Sequence, residues 1–275
     1  MFRYAAGLLT ASLSLSAYAN DTAFKTADDL FADRENNIES TREARSAYLA
    51  IAENAEGAEL VRAVVGAARA MIYEGEALTG RDSDEDVEAR RDIFRTCYKD
   101  VMPLISPDAL GFESPAHYYF TASCMAYYAE VSGTLENLRN ISALNDALAD
   151  GLAAEGGELY EGGGLKRVKA AVKSNPKAKP IPGGLYDPEE ALKLIDEAIA
   201  GEAYPGNFAG EAYCDNYRRK VNVLAELERT EEAKTVGEET IEEFTFLLDL
   251  EEVPSILVAE TKHCIDVVET LVNDL

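Results

Sequence analysis

Asp187-Pro188-Glu189-Glu190-Ala191-Leu192-Lys193-Leu194-Ile195-Asp196-Glu197-Ala198-Ile199 is the stretch from which the fold class is read. Asp187 is a helix-capping residue type, and Glu190 stands three positions after it. Pro188 suits the first helical position, where its missing N–H would have no partner in any case. Ala191, Leu194, Ile195 and Ala198 then recur at spacings of three and four, giving one apolar and one charged face. The stretch predicts an amphipathic helix whose start is set by its own side chains.

The same grammar extends in both directions. Towards the C-terminus it predicts helices from Asn207 to Leu227, Thr230 to Leu248 and Pro254 to Asn273. Towards the N-terminus, Asn175 to Gly184 holds three prolines and two glycines in ten residues, which predicts a Pro/Gly-rich loop over 175–186. Before it come a short basic helix from Leu165 to Lys173, glycine punctuation at Gly156-Gly157 and Gly162-Gly163-Gly164, and a helix from Thr134 to about Ala154. A helix opened by Ser114-Pro115 carries Tyr118, Ala122, Met125 and Ala129 and is closed by Gly133. Another starts in the acidic run Asp82 to Glu88, places Ile93, Phe94, Cys97 and Val101 on one side, and stops at Pro103 and Pro107. Ala44, Ala47, Tyr48, Ile51 and Ala52 form one stripe; Leu60, Val61, Val64, Val65, Ala68, Met71 and Ile72 form the next, and the two helices pair antiparallel. Short connections between helices of similar length make the chain all-α, with antiparallel helix pairs stacked as an α-solenoid or a compact bundle. Residues 20–275 read as one such domain.

The first nineteen residues read as a signal peptide. Arg3 gives a short positive start, Tyr4 to Leu15 is mostly apolar, and Ala17-Tyr18-Ala19 has the small-x-small form of a cleavage site, so the mature chain is expected to begin at Asn20. A cytoplasmic protein with an apolar first helix is the other reading. No stretch approaches about 20 uninterrupted apolar residues, and the first cysteine is Cys97, so a lipid-bearing cysteine at the cleavage point is not expected. The expected location is the periplasm. Without Arg3 the formal charge is −26, which argues against nucleic acid or an anionic lipid surface as partner. That charge solvates the exterior, and it would steer a basic ligand or partner.

Four cysteines in a chain bound for an oxidising compartment give three possible connectivities for two disulfides. Cys97 lies shortly before one inter-helix loop and Cys124 a few turns after it, at similar heights on antiparallel neighbours. Cys214 and Cys264 would join helices two apart in a stack. The pairing read from this register is Cys97 to Cys124 and Cys214 to Cys264; four buried free thiols are the other reading.

Glu189-Glu190-Ala191 with Ile195, Ala198 and Ile199, and Glu231-Glu232-Ala233 with its following helix, resemble the second helix of a tetratricopeptide repeat, although the copies stand 42 residues apart rather than the usual ~34. A longer series of landmarks is Ser114-Pro115-Ala116-His117-Tyr118-Tyr119, Tyr160-Glu161-Gly162-Gly163-Gly164 before Arg167, and Pro182-Gly183-Gly184-Leu185-Tyr186-Asp187-Pro188 before Glu189. From about Ala44 to Phe244 the chain resembles the T-component family of tripartite ATP-independent periplasmic (TRAP) transporter systems. The resemblance implies a tetratricopeptide-like helical protein that binds the periplasmic substrate-binding protein of the transporter, helps with a hydrophobic small molecule, and forms homo-oligomers enclosing a pore. Members are often lipoproteins; here the lipid-bearing cysteine is missing, Ala170 stands where glycine is usual, and there is no Trp.

Candidate binding residues follow from the residue types. Tyr118, Tyr119, Tyr127 and Tyr128, with Phe120, cover more than one face of their helix, so some are expected to line a groove, against ordinary core packing as the alternative. Lys169 and Lys173, with Lys166, Arg167, Lys177 and Lys179, form the one basic concentration, read as a docking patch for an acidic protein or as a solvated face. Arg167 is expected to cross to a carboxylate or to helix carbonyls. The glycine run has no preceding strand and no Gly-Lys-Ser/Thr, so it reads as a tight connection and not a phosphate cradle. His117 with Glu113, and His263 with Glu260 and Asp266, have ligand-like spacing, but the chain has two histidines and none of the catalytic motifs, so no catalytic residue, metal or cofactor is expected. The function classes that stand are a scaffold for a TRAP substrate-binding protein, a carrier of a small apolar ligand, and an envelope-assembly factor.

Overall fold

The computed structural model describes residues 21–35, 37–180 and 185–275. The signal-peptide reading of residues 1–19 and the Pro182-Gly183-Gly184 landmark lie outside the described residues. Within them the chain is helical and contains no strand: α1 (21–32), α2 (Ile38–Ala52), α3 (Gly57–Tyr73), α4 (Asp84–Thr96), the short α5 (Pro107–Leu110), α6 (Pro115–Val131), α7 (Thr134–Ala153), α8 (Tyr160–Ser174), α9 (Pro188–Ile199), α10 (Cys214–Glu226), α11 (Thr230–Asp249) and α12 (Val258–Asp274). No helix among them is long and apolar enough to cross a membrane.

The described residues fall into two compact units, one up to Leu78 and one from Thr79. In the first, α2 packs on α3. Gly66 lets the Tyr48 ring lie against the α3 backbone, since a Cβ there would come within 2.6 Å of it, and the Tyr48 hydroxyl donates to Asp28 at 2.6 Å. Ala44, Tyr48 and Ile51 are buried as the stripe predicts, and so are Val64, Ala68 and Met71 of α3, whose buried side also takes in Ala63 and Ala67 while Leu60, Val61, Val65 and Ile72 are half-buried. Buried Glu74 lies 2.7 Å from both Arg42 and Arg45.

In the second unit alternate helices stack. α4 packs on α6, α6 on α8, α8 on α10 and α10 on α12, while α7, α9 and α11 each pack on the helix before them. That neighbour pattern belongs to stacked helix pairs. Caps fall where the side chains put them: Ser83 accepts from the Asp86 N–H, and Asp187 accepts from the Glu190 N–H at 3.0 Å. Ala191, Ile195 and Ala198 are the buried face of α9. Sulfur bridges join Cys97 to Cys124 and Cys214 to Cys264, the pairing read from helix register. Two disulfides fit an oxidising compartment.

Several boundaries differ from expectation, among them the start of α8 at Tyr160 and of α12 at Val258. The helix from Asp84 does not run straight to Val101: it ends at Thr96, widens into a π turn over Cys97–Val101, and continues as a 3-10 turn over Met102–Ile105 with Pro103 in it. α10 begins at Cys214, seven residues after Asn207, because the intervening chain is drawn onto the α9 terminus: the Gly210 N–H donates to the Gly201 carbonyl at 2.9 Å, and a Cβ on Gly210 would fall 1.7 Å from the Ala198 carbonyl oxygen. The Pro/Gly-rich loop contains a 3-10 turn at Pro176–Ala178.

Candidate functional site

α8 opens on a left-handed turn, with φ of 53°, 57° and 76° at Glu161, Gly162 and Gly163. Glycine takes these angles freely, whereas a residue with a Cβ loses roughly 1–2 kcal/mol there, so Glu161 has to be held. Asn207 Nδ2 donates to its Oε1 at 3.1 Å, and Arg167 Nη1 donates to its carbonyl at 3.2 Å. Gly163 is pressed on α9, where a Cβ would lie 2.7 Å from Ala198 Cα, and a Cβ on Gly164 would meet the Tyr119 ring at 2.4 Å. Gly163→Ala combines the left-handed strain with a backbone clash. The expected result is a loss of about 2–4 kcal/mol, read as a lower urea midpoint at unchanged slope.

Arg167 gathers the elements around this turn. The side chain, 3% exposed, donates from Nη1 to Asn216 Oδ1 at 2.9 Å and from Nη2 to the Tyr119 hydroxyl at 2.9 Å, and its Nε lies 3.3 Å from Asp215 Oδ2. Its guanidinium carbon sits 4.3 Å from the centre of the Tyr213 ring. Asn216, fully buried, is satisfied on both sides: Oδ1 accepts from Arg167, and Nδ2 donates to the carbonyls of Gly162 at 2.9 Å and Gly210 at 2.8 Å. Burial pushes the Asp215 carboxyl up, but Arg218, Arg219 and Arg167 outweigh it and hold the group well below the ordinary carboxylate range. Burial pushes the Tyr119 and Tyr213 phenols up, so both stay protonated at neutral pH. Chemically this cluster is a lock that sets the crossing of α6, α8 and α10.

One turn beyond Arg167 on α8, Ala171 and Val172 face a half-open pocket of about 70 Å³ between α6, α7 and the segment after α8. Its walls are mostly apolar, from Met125, Ala126 and Ala129 of α6 and Ile141 and Leu144 of α7, with Ala178 and Leu185 from the loop. Asn137, Asn140 and Asn175 supply polar groups. Asn137 Nδ2 donates to the Ala129 carbonyl at 2.9 Å, while its Oδ1 is buried with no donor. Lys177 Nζ donates to the Glu130 carbonyl at 2.8 Å, and both residues line the pocket, so the loop is fastened to α6 there.

Tyr118, Tyr119 and Tyr128 are buried, as the core-packing alternative has it, and Tyr127 is half-buried against the core. Tyr119 serves the Arg167 cluster, Tyr118 packs against Gly151, Tyr127 stacks on Phe94 at 5.2 Å between ring centres, and Tyr128 lies against Tyr98. Small residues one or two positions away, Ala126 and Ala129, face the pocket instead, because a tyrosine there would fill it.

The basic concentration is largely consumed by pairing within the chain. Lys166 reaches Glu197 at 3.2 Å, Lys173 reaches Glu190 at 2.7 Å and Lys179 reaches Glu226 at 2.6 Å; Lys169 is half-buried. His117 Nδ1 lies 3.1 Å from the Met102 carbonyl, and burial lowers its pKa. Neither His117 nor His263 belongs to a group of three metal-binding side chains among the described residues.

Asp215, Asn216 and Tyr213 were not anticipated from the sequence. The available signal was the phase of Asn216, seven residues before buried Val223 and therefore on the core side of α10. No protein-family model, curated protein or solved structure matches the chain.

Proposed function

We propose that the protein is a non-catalytic helical-repeat binding protein of the periplasm that holds a small apolar ligand between α6, α7 and α8 and works with the substrate-binding protein of a TRAP transporter. The observation that carries the ligand half is the mostly apolar pocket with a few polar side chains on its wall, Asn137, Asn140 and Asn175. Pockets of this composition bind through shape and apolar burial and use a few polar atoms for orientation. The transporter half rests on the landmark series. Its support is convergence: Tyr119 from the first landmark meets Tyr160 and Arg167 from the second, and the Asp187 N–H of the third donates to the Lys173 carbonyl at 2.8 Å.

Indole tests the pocket, because it joins an apolar body to one N–H donor and the chain has no Trp to mask its fluorescence. A blue shift on binding is expected, lost in Ala129→Phe and weakened about tenfold in Asn137→Leu. Equal binding by wild type and Ala129→Phe would remove the pocket from the account. Affinity purification of the tagged mature protein from periplasmic extract tests the partner. A TRAP substrate-binding protein at near-stoichiometric level is expected, and recovery of outer-membrane assembly proteins in its place overturns that half.

A further inference from the structure

α11 packs on α10 and α12 through Ala233, Gly237, Thr240 and Phe244, all buried. The opposite face, two to three turns of helix, carries Glu239, Glu242, Glu243, Phe246, Asp249 and Leu250, all exposed. A helix near the end of a stack needs a polar outer side for solubility, and the carboxylates supply it. Phe246 and Leu250 break that pattern. They are 60% and 50% exposed, the two most exposed large apolar side chains among the described residues, and at i, i+4 they form one continuous patch. None of the four carboxylates beside them has an ion pair among the described residues, unlike Glu232 at the start of the helix, which is held by Arg229.

We propose that this face of α11 docks a basic amphipathic helix of another protein, whose apolar side chains cover Phe246 and Leu250 while its lysines or arginines meet Glu239, Glu242, Glu243 and Asp249. The charge chooses the occupant. A second copy of this chain would bring the same carboxylates against their like, and an acidic or neutral partner would leave four carboxylates uncompensated at the rim. An aromatic side chain flanked by charge is the composition of an interface anchor, and an amphipathic helix laid along an apolar stripe is a recurring mode of recognition. The inference is independent of the ligand pocket, which lies between other helices.

The test uses the whole mature protein and a fluorescein-labelled helical peptide of Leu and Lys, with leucines one turn apart, followed by anisotropy. Phe246→Ala with Leu250→Ala is expected to weaken binding at least tenfold, and Glu239→Gln with Glu242→Gln and Glu243→Gln to do the same and flatten the salt dependence. Asp82→Asn with Asp84→Asn and Glu85→Gln, exposed carboxylates of α4 and the residues just before it, should leave affinity within about twofold. All these side chains are exposed, so the variants keep their fold, and circular dichroism checks it. If the α4 set weakens binding as much as the α11 set, or if loss of Phe246 and Leu250 has no effect, the attraction is diffuse and the proposal fails. It also fails if sedimentation shows a dimer that Phe246→Ala with Leu250→Ala dissociates, since the face then belongs to a second copy.

Discussion

Arg167→Met is expected to destabilise the protein by about 3–5 kcal/mol, the range for removing one member of a buried charge cluster. The lost guanidinium serves four groups on three helices at once. Its removal leaves the Tyr119 hydroxyl without its donor, Asn216 Oδ1 and the Glu161 carbonyl without theirs, and Asp215 with two arginines where it had three. Orphaned buried acceptors cost about 1–3 kcal/mol each, and the left-handed conformation of Glu161 loses one of the contacts that hold it. For a chain of this length such a loss lowers the melting temperature by about 6–20 °C. Arg167→Lys should recover little of it, because one ammonium cannot reach two hydrogen-bond partners and a carboxylate through a fixed fork. The pH dependence has a definite sign. Asp215 has its folded pKa lowered, so its contribution is complete above the unfolded value of about 3.9 and is lost as pH falls below it. The gap between wild type and Arg167→Met should therefore be constant above about pH 5 and shrink in acid. A midpoint change worth less than about 1 kcal/mol at neutral pH would mean that water or neighbouring side chains replace the guanidinium.

That cluster also marks where the sequence stopped being legible. Helix starts were readable where the signal is local: Asp187 caps the Glu190 N–H three residues on, Pro115 fits the first turn, and the acidic run around Asp84 suits an N-terminus, whereas Ser114, read as a cap, makes no side-chain cap hydrogen bond. The disulfide pairing was readable because helix length and loop position fix the height of a cysteine on its helix. Arg167 was readable as a residue that crosses to a carboxylate or to carbonyls, but its partners Tyr119 and Asn216 stand 48 and 49 residues away, and no periodicity links them. Gly162-Gly163-Gly164 announced a tight connection without stating its hand, and nothing local says that Glu161 joins the left-handed turn. The tyrosine run left groove lining and core packing both open for a related reason. Residue type identified amphipathic rings, but which side of α6 faces the pocket depends on where α7 and α8 lie, and there alanines leave the space. Leu78 to Thr79 carries no change of composition, yet the compact units part there. The segments on either side of Pro182-Gly183-Gly184 are tied to the stack by contacts the sequence does not announce: Lys177 binds the Glu130 carbonyl, Lys179 binds Glu226, and the Asp187 N–H donates to the Lys173 carbonyl.

Removing the Cys214–Cys264 bridge by Cys214→Ala with Cys264→Ala should cost about 4 kcal/mol, from closure of a loop whose ends are 50 residues apart; Cys97→Ala with Cys124→Ala should cost about 3.5 kcal/mol for 27. The two bridges share no helix, so the losses should add. Their consequences should differ in place. α12 packs mainly on α10 and α11, and the bridge fastens it to α10 directly. Without Cys214–Cys264, amide exchange should quicken in α12 before α6 or α8, and indole binding should persist. Cys124 precedes pocket-lining Met125 on α6, so loss of Cys97–Cys124 should loosen the pocket wall and weaken indole binding while α12 keeps its protection. Mild reduction of the wild-type protein should reproduce the sum, and the four-alanine variant should be indifferent to the reductant. If exchange quickens uniformly in both pairs of variants, the stack unfolds as one cooperative block, and the division of labour between the bridges is wrong.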